Sequence, residues 1–342
     1  MDPMVNKLRD FFWIVLLPVS WVHSAVASWM IRLKSCQEQL SVPVISVGNL
    51  SSGGTGKTPL VIEVAQHFSK LNPAILSRGY KSQSSRRGAQ VDVRNPKGPE
   101  LFGDEPWMMA QLTGKEVYVG ANRKALFSKF QMELKHGLVI LDDGYQHTQM
   151  GRSINILVIS GEQGPGDAHV IPLGNLREPL SAVRRAHAVV ITTAHPQSDF
   201  VQEWLSFAQQ LVPNTSCFIA QRIFDGPIDE NECAVKLESY QWGGFSGIGN
   251  SERFENDLRT WGAPRYFKAF SDHHSYTRED IRQMVTSGKQ RGVTAYLTTA
   301  KDFYKVAGFF KELQEPIFMA RSHYELPKEF WHWMDQGVSP AC

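Results

Sequence analysis

The sequence predicts an α/β fold of the P-loop type: a mainly parallel sheet with helices on both faces, a smaller second α/β unit, and an amphipathic helix at the N-terminus. Three observations predict it. Short β-branched runs alternate with stretches of helical apolar spacing. A glycine-rich loop separates the first such strand from the first such helix, and a later apolar run ends in the paired aspartates Asp142 and Asp143.

At the N-terminus, residues 11–31 carry no charged side chain, a run close to the roughly 20 residues that cross a bilayer. A signal peptide is disfavoured, because export would strand an ATP-binding loop away from ATP. Pro18, Ser20, His23, Ser24 and Ser28 dilute the run and argue against a spanning helix. Ser20, Ser24 and Ser28 recur every fourth residue, opposite Trp21, Val22, Ala25, Val26, Trp29 and Met30. That pattern predicts a membrane-associating helix lying at an interface within residues 1–40. Trp13, Trp21 and Trp29 suit the headgroup boundary, with Arg32 and Lys34 following toward anionic lipid. A buried first helix of the core is the competing reading.

Residues 41–50 (SVPVISVGNL) predict a buried strand and residues 59–71 a helix. Between them lie Ser51, Ser52, Gly53, Gly54, Thr55, Gly56, Lys57 and Thr58. Glycines without a Cβ permit tight curvature, so backbone N–H groups converge on phosphate oxygens at the helix N-terminus. Lys57 then reaches the β and γ phosphates of ATP and the Thr58 hydroxyl meets Mg²⁺. Ser51 departs from the Walker A pattern, which has glycine there. The strand at 138–141 ends in Asp142 and Asp143, the carboxylates expected at the metal, with Asp143 the first choice.

Further strands are predicted at 74–76, 116–119, 154–159 and 188–192, which completes a P-loop core over 41–223, with 322–342 rejoining it. A second α/β unit over 224–315 contains strands at 242–248 and 295–299, and segments 217–223 and 316–321 are placed to pair as a two-stranded linker. The length of 342 residues and the 42% hydrophobic content suit two domains. A net charge of +2 is too small to suggest a nucleic-acid partner. Cys36, Cys217, Cys233 and Cys342 lack CxxC spacing, so no zinc site or disulfide framework is expected and a reducing compartment is favoured.

Flanking residues separate the P-loop classes. Ser52 stands where partitioning ATPases carry a signature lysine. Thr299-Ala300-Lys301-Asp302 lacks the N-K-x-D spacing of a GTPase, and Gly247-Ile248-Gly249-Asn250 lacks the full dinucleotide fingerprint. In order, GNLSSGGTGKTP, SRGYK, GDEP, LDDGYQH, LREP and SDHHSY resemble the tetraacyldisaccharide 4'-kinase family of lipid A biosynthesis, over residues 48–276.

The resemblance implies transfer of the ATP γ-phosphate to the 4'-hydroxyl of an acylated glucosamine disaccharide 1-phosphate, giving lipid IVA. It places the protein on the cytoplasmic side of the bacterial inner membrane as a peripheral or monotopic enzyme. It also implies Asp104 as general base, assisted by a histidine, with His273 the first choice and His274 the alternative. On local sequence alone Asp104 is better explained as a helix N-cap. Arg177 is a candidate for the polyphosphate, since its forked donors suit phosphate. Glu178 is a candidate for ordering metal or substrate. Arg78, Tyr80, Glu105, Gln146 and His147 are pocket candidates, and a basic stretch (Lys81, Arg86, Arg87, Arg94, Lys97) is a candidate for the substrate 1-phosphate. The competing function is a membrane-attached P-loop ATPase switch with no lipid substrate.

Overall fold

The computed structural model describes residues 17–20, 22–24, 26, 29, 31, 40–80, 82–95, 97–164 and 169–338. In chain order the strands are β1 (Val44–Gly48), β2 (Ala74–Ser77), β3 (Ala89–Gln90), β4 (Val117–Val119), β5 (Val139–Asp142), β6 (Ile154–Ser160), β7 (Ala188–Thr193), β8 (Ser216–Ile228), β9 (Trp242–Ser246), β10 (Phe267–Ala269), β11 (Ala295–Thr299) and β12 (Ile317–Glu325). They form one sheet in the order β10-β9-β11-β12-β8-β7-β6-β1-β5-β2-β4-β3.

β1 lies at the centre of the P-loop part, parallel to β5 on one side and β6 on the other. Helices cover both faces of such a strand, which is why all five residues of VISVG are buried and the sequence reads as a continuous apolar run rather than an alternating one. The chain winds outward from β1 through β2 and β4, then returns across it to β6 and β7. This reversal opens a crevice at the carboxyl ends of β1 and β5, where doubly wound sheets bind ligands.

The segments 217–223 and 316–321 do not pair with each other: 221–223 pair with 323–325, and 319–320 pair with 227–228. β8 runs parallel to β7 over its first half and antiparallel to β12 over its second, with a bulge between Ala320 and Ser322. β12 in turn pairs parallel with β11, so the sheet continues without a break into the second unit. Phe245, Ile281, Met284 and Phe310 share one core beyond the link, and Ile45, Leu60, Ile140 and Ile156 share another around β1 that also takes in Phe303 and Met319 from beyond the link. The final helix, Lys328–Val338, places Phe330, Met334 and Val338 in the latter core.

Two short strands, β3 and β10, were not expected from the sequence; each sits at an edge of the sheet. The P-loop helix spans Lys57–His67, starting earlier than the apolar spacing indicates and followed by a tighter turn at Ser69–Leu71.

Among the described N-terminal residues, positions 17–20, 22–24, 26, 29 and 31 are helical. Ser20 is 3% exposed and its hydroxyl donates to the Val170 carbonyl at 2.7 Å. Val22 and Trp29 are 64% and 61% exposed, and Val19 and Val26 point outward with them. Ser20 therefore packs on the protein, whereas Val19, Val22, Val26 and Trp29 face away from it. Trp13, Trp21, Ala25, Ser28, Met30, Arg32 and Lys34 lie outside the described residues, as do Lys81, Cys36 and Cys342. Among the described residues no helix is long and apolar enough to cross a membrane.

Candidate active site

The loop between β1 and the P-loop helix is held from two sides. Gly56 has φ 75°, a left-handed conformation that favours glycine, and a Cβ there would stand 1.8 Å from the Tyr324 hydroxyl. Thr192, at the end of β7, donates to the Thr55 carbonyl at 3.0 Å. On the other side the Leu-Arg-Glu-Pro segment is laced to the loop by backbone bonds: Ser52 N–H donates to Asn175 at 2.7 Å and Arg177 N–H to Leu50 at 2.6 Å. Ser51 forms an antiparallel bridge with Leu176 and its carbonyl accepts from the Asn49 amide at 2.8 Å. This extended, ladder-like role needs no left-handed backbone, which explains how a serine replaces the glycine of the Walker pattern.

The same lacing carries Arg177 to the end of β5. Its Nη1 donates to both carboxylate oxygens of Asp143, at 2.8 and 3.1 Å, and Lys57 Nζ lies 3.6 Å from Asp143 Oδ1. Burial pushes the Asp143 carboxyl up, but Lys57 and Arg177 outweigh it and hold it below the usual carboxylate value. Asp143 has φ 49°, so the turn that presents it is strained for a residue with a side chain. Asp142 is in the opposite situation. Burial, then the nearby charges of Glu105 and Asp143, raise its carboxyl, although Ser77 Oγ donates to Oδ2 at 2.8 Å. Its Oδ1 is buried without a hydrogen-bond partner among the described residues.

Asp104 and His273, 169 positions apart, meet across the two units: His273 Nδ1 is 3.2 Å from Asp104 Oδ2. The N-cap of the helix Asp104–Thr113 is Gly103, and no side chain caps it, so the capping role suggested by local sequence is not what Asp104 does. His273 adopts φ 58° and its N–H donates to the Gly247 carbonyl at 3.1 Å, which turns the ring toward the first unit. Lys301 Nζ approaches His273 Nε2 at 3.4 Å. An ammonium can only donate, so Nε2 accepts and Nδ1 carries the hydrogen that points at Asp104. Burial pushes the Asp104 carboxyl up, yet the His273 hydrogen bond and the Lys305 and Lys301 ammonium groups together hold it below its ordinary value.

A profile of the family described as Tetraacyldisaccharide-1-P 4'-kinase matches residues 12–339. The chain belongs to this family. Tetraacyldisaccharide 4'-kinase of Desulfotalea psychrophila is 33% identical over 351 residues, covering 96% of this chain and 97% of the relative. That of Legionella pneumophila (strain Corby) is 31% identical over 352 residues, covering 99% of each. Among solved structures, the "apo" form LpxK from Aquifex aeolicus in complex with ATP is similar with a TM-score of 0.74 and 28% identity, over 97% of this chain and 99% of that one.

The other tetraacyldisaccharide 4'-kinase motif residues divide by position. Glu178 is buried and accepts from Gln146 at 2.9 Å and Arg185 at 2.9 Å, while Gln146 also donates to the Asn49 carbonyl at 2.8 Å. This pair braces the loops beneath the phosphate cradle. His147 belongs to the same turn, its N–H donating to Gly144 at 2.8 Å and its carbonyl accepting from Arg152. His274 turns away from Asp104 to Asp280, 3.2 Å from its Nε2, and packs tilted against Phe270 and edge-on to Tyr276. Of the two histidines, only His273 touches Asp104. Arg78 and Tyr80 are exposed at the end of β2, with the Tyr80 ring centroid 6.3 Å from that of His273. Glu105 is half-buried in the first turn of the helix Asp104–Thr113.

Four residues were not anticipated. Arg123 is 5% exposed and donates to the Asp142 carbonyl at 3.2 Å, and Ser77 holds the Asp142 carboxyl. Lys301 and Lys305 reach the Asp104–His273 pair from the second unit. A sequence signal existed only for the first two, which follow or end parallel strands at the edge where ligands bind.

Proposed function

We propose that this kinase transfers the γ-phosphoryl group of ATP to the 4'-hydroxyl of a tetraacyldisaccharide 1-phosphate, forming lipid IVA, at a site shared by its two units. The observation that carries the reading is the meeting of Asp104 with His273 beside the phosphate loop. Glu105 adjoins Asp104 and is near enough to Asp142 to raise its carboxyl, so the pair and the loop face one site.

Phosphoryl transfer is mostly positioning and charge neutralisation. The backbone of residues 51–57 cradles the phosphates, Lys57 and Arg177 supply cationic donors, and both release Asp143 to do so. Residues for Mg²⁺ fit that ion: Asp143, the Thr58 hydroxyl and the unpartnered Oδ1 of Asp142 are hard oxygen donors, and the ion needs only one or two carboxylates besides phosphate. When bound it offsets charge on the β and γ phosphates. A carboxylate held below its usual pKa is a weak proton acceptor, so Asp104 acts chiefly by accepting the hydrogen bond of the sugar hydroxyl and aiming its oxygen. His273, donating through Nδ1, stabilises that carboxylate orientation. As the hydroxyl oxygen bonds to the γ phosphorus and the bond to ADP breaks, the hydroxyl proton passes late to the Asp104 carboxylate, as a loose transition state permits.

The lipid substrate requires a membrane surface. The outward Val19, Val22, Val26 and Trp29 side of the N-terminal helix supports docking at the cytoplasmic face of the inner membrane, with Ser20 anchoring the inward side. The distinct core around Phe245 and Phe310, reached through β8 and β12, supports a two-domain division and closure around the substrates. The test is incubation with γ-labelled ATP and the disaccharide 1-phosphate, followed by phosphorus–proton correlation of the product. A new phosphomonoester on the 4' oxygen is expected. Release of inorganic phosphate alone would make the protein a nucleotide-dependent switch instead.

A further inference from the structure

The Thr299-Ala300-Lys301-Asp302 stretch, which fits no nucleotide-base motif, opens the helix Ala300–Leu313. Thr299 caps that helix, accepting from Asp302 N–H at 3.2 Å. The Asp302 carboxyl is fully buried; its Oδ2 accepts from Gly247 N–H at 2.8 Å and from Thr299 Oγ1 at 2.9 Å, while Oδ1 makes no hydrogen bond among the described residues. A buried carboxylate requires a countercharge. Lys305, one turn on, provides it with Nζ 3.3 Å from Asp302 Oδ1.

Neutralising Asp302 would need only one of the three donors of that ammonium. The other two leave the helix: Nζ lies 3.1 Å from the His274 carbonyl and 3.1 Å from Asp104 Oδ2, a residue 201 positions away in the other unit. The side chain is 8% exposed and the ammonium stands 5.1 Å from the Tyr276 ring centroid. Lys301, four residues earlier on the same helix face, reaches His273 Nε2 and Asp272 Oδ1. One face of one helix therefore grips both members of the Asp104–His273 pair.

We propose that Lys305 is a positioning residue for phosphoryl transfer: its ammonium ties the Asp104 carboxylate to the second unit and fixes the rotation of that carboxylate toward the sugar hydroxyl. This rests on the reading of Asp104 as acceptor of the hydroxyl. Lys305 and His273 both engage Oδ2, and Oδ1 makes no hydrogen bond among the described residues. Two anchors on one oxygen define the direction of the other. Among the described residues, the further charged groups around this carboxylate are Lys301 and Asp272 beside His273, Asp302 behind Lys305, and Glu105 next along its own helix. His274 is occupied by Asp280.

The experiment compares Lys305→Met, Lys305→Arg, Asp104→Asn and the double variant Asp104→Asn/Lys305→Met in full-length protein, with ATP and the disaccharide 1-phosphate. Misplacing a reacting group by about 1 Å costs on the order of 10²-fold, so Lys305→Met should lower kcat by about that factor with the KM for ATP within about twofold. An opposite charge within hydrogen-bond reach depresses a carboxyl by about one pH unit or more. Removing it should therefore move the acid limb of kcat upward by about one unit, and Lys305→Arg should return the limb to its original place. The double variant should be no slower than Asp104→Asn. Should Lys305→Met fail to fold, Lys305→Gln is read in the same way.

Asp104→Asn slow but Lys305→Met with unchanged kcat and pH profile would overturn the tether alone. Losses that multiply in the double variant would do the same. Asp104→Asn at full rate would overturn the reading of Asp104 and the tether with it.

Discussion

Replacing Gly56 by alanine perturbs the phosphate loop at the point where it touches the strand that links the two units. The added Cβ would lie 1.8 Å from the Tyr324 hydroxyl and 3.0 Å from its ring. Tyr324 is 5% exposed, so the ring cannot swing into solvent without opening the core around β12. Two costs add. A left-handed residue with a Cβ costs about 1–2 kcal/mol, and displacing the buried Tyr324 hydroxyl from its hydrogen-bond partner Thr192 costs about 1–3 kcal/mol. The loop should therefore be destabilised by roughly 2–5 kcal/mol. Calorimetric ATP titration should show affinity weakened at least about tenfold, since 1.4 kcal/mol is tenfold, with a lower Tm in thermal denaturation. Adding Tyr324→Phe removes the nearest atom and should restore the hydroxyl share while leaving the backbone share. Unchanged ATP affinity and Tm in Gly56→Ala, or no recovery in the double variant, would refute the packing argument.

Arg222 and Asp257 pair through two bonds of 2.7 and 3.0 Å at the link, with side chains 16% and 21% exposed. Arg222→Ala should cost about 1–3 kcal/mol in chemical denaturation, discounted from the fully buried case. Arg222→Met/Asp257→Leu should recover most of it, and an unchanged midpoint in the single variant would contradict this. Val22→Glu/Trp29→Glu removes two outward apolar side chains, each worth about 1.5–3 kcal/mol on burial. Co-sedimentation with anionic vesicles should fall more than about tenfold at constant Tm; undiminished binding would exclude this face as the docking surface.

The pH dependence of stability has a definite sign. Asp104 has a lowered folded-state pKa, so its contribution is present above the ordinary carboxylate pKa of 3.8 and fades as pH falls through the lower folded value. Any stability gap between wild type and Asp104→Asn should close as pH drops below that range. A gap that widens on acidification would reverse the assigned direction.

Much of the P-loop half was legible because central parallel strands are buried on both faces and advertise themselves as β-branched runs. The strands β3 and β10 were not, being two or three residues long at sheet edges where no period can develop. The phosphate loop and the aspartates at 142 and 143 follow local rules of turn and strand end. The choice between His273 and His274 does not, since it depends on a left-handed backbone at His273 and a capping box that occupies Asp280. Ser51 is explained only by its bridge to Leu176, far along the chain. Lys305 was invisible for the same reason: on its own helix it resembles any surface lysine, and its role appears only when Asp104 is brought to it from 201 residues away.

The account is tested most directly by single-turnover transfer of label from ATP to the disaccharide 1-phosphate in wild type and Asp104→Asn, with ATP affinity measured in parallel. It predicts label in the lipid with wild type, a loss of about 10²–10⁴-fold in Asp104→Asn, and ATP affinity within about twofold. Full-rate transfer by Asp104→Asn, or hydrolysis without a labelled lipid in wild type, would contradict it.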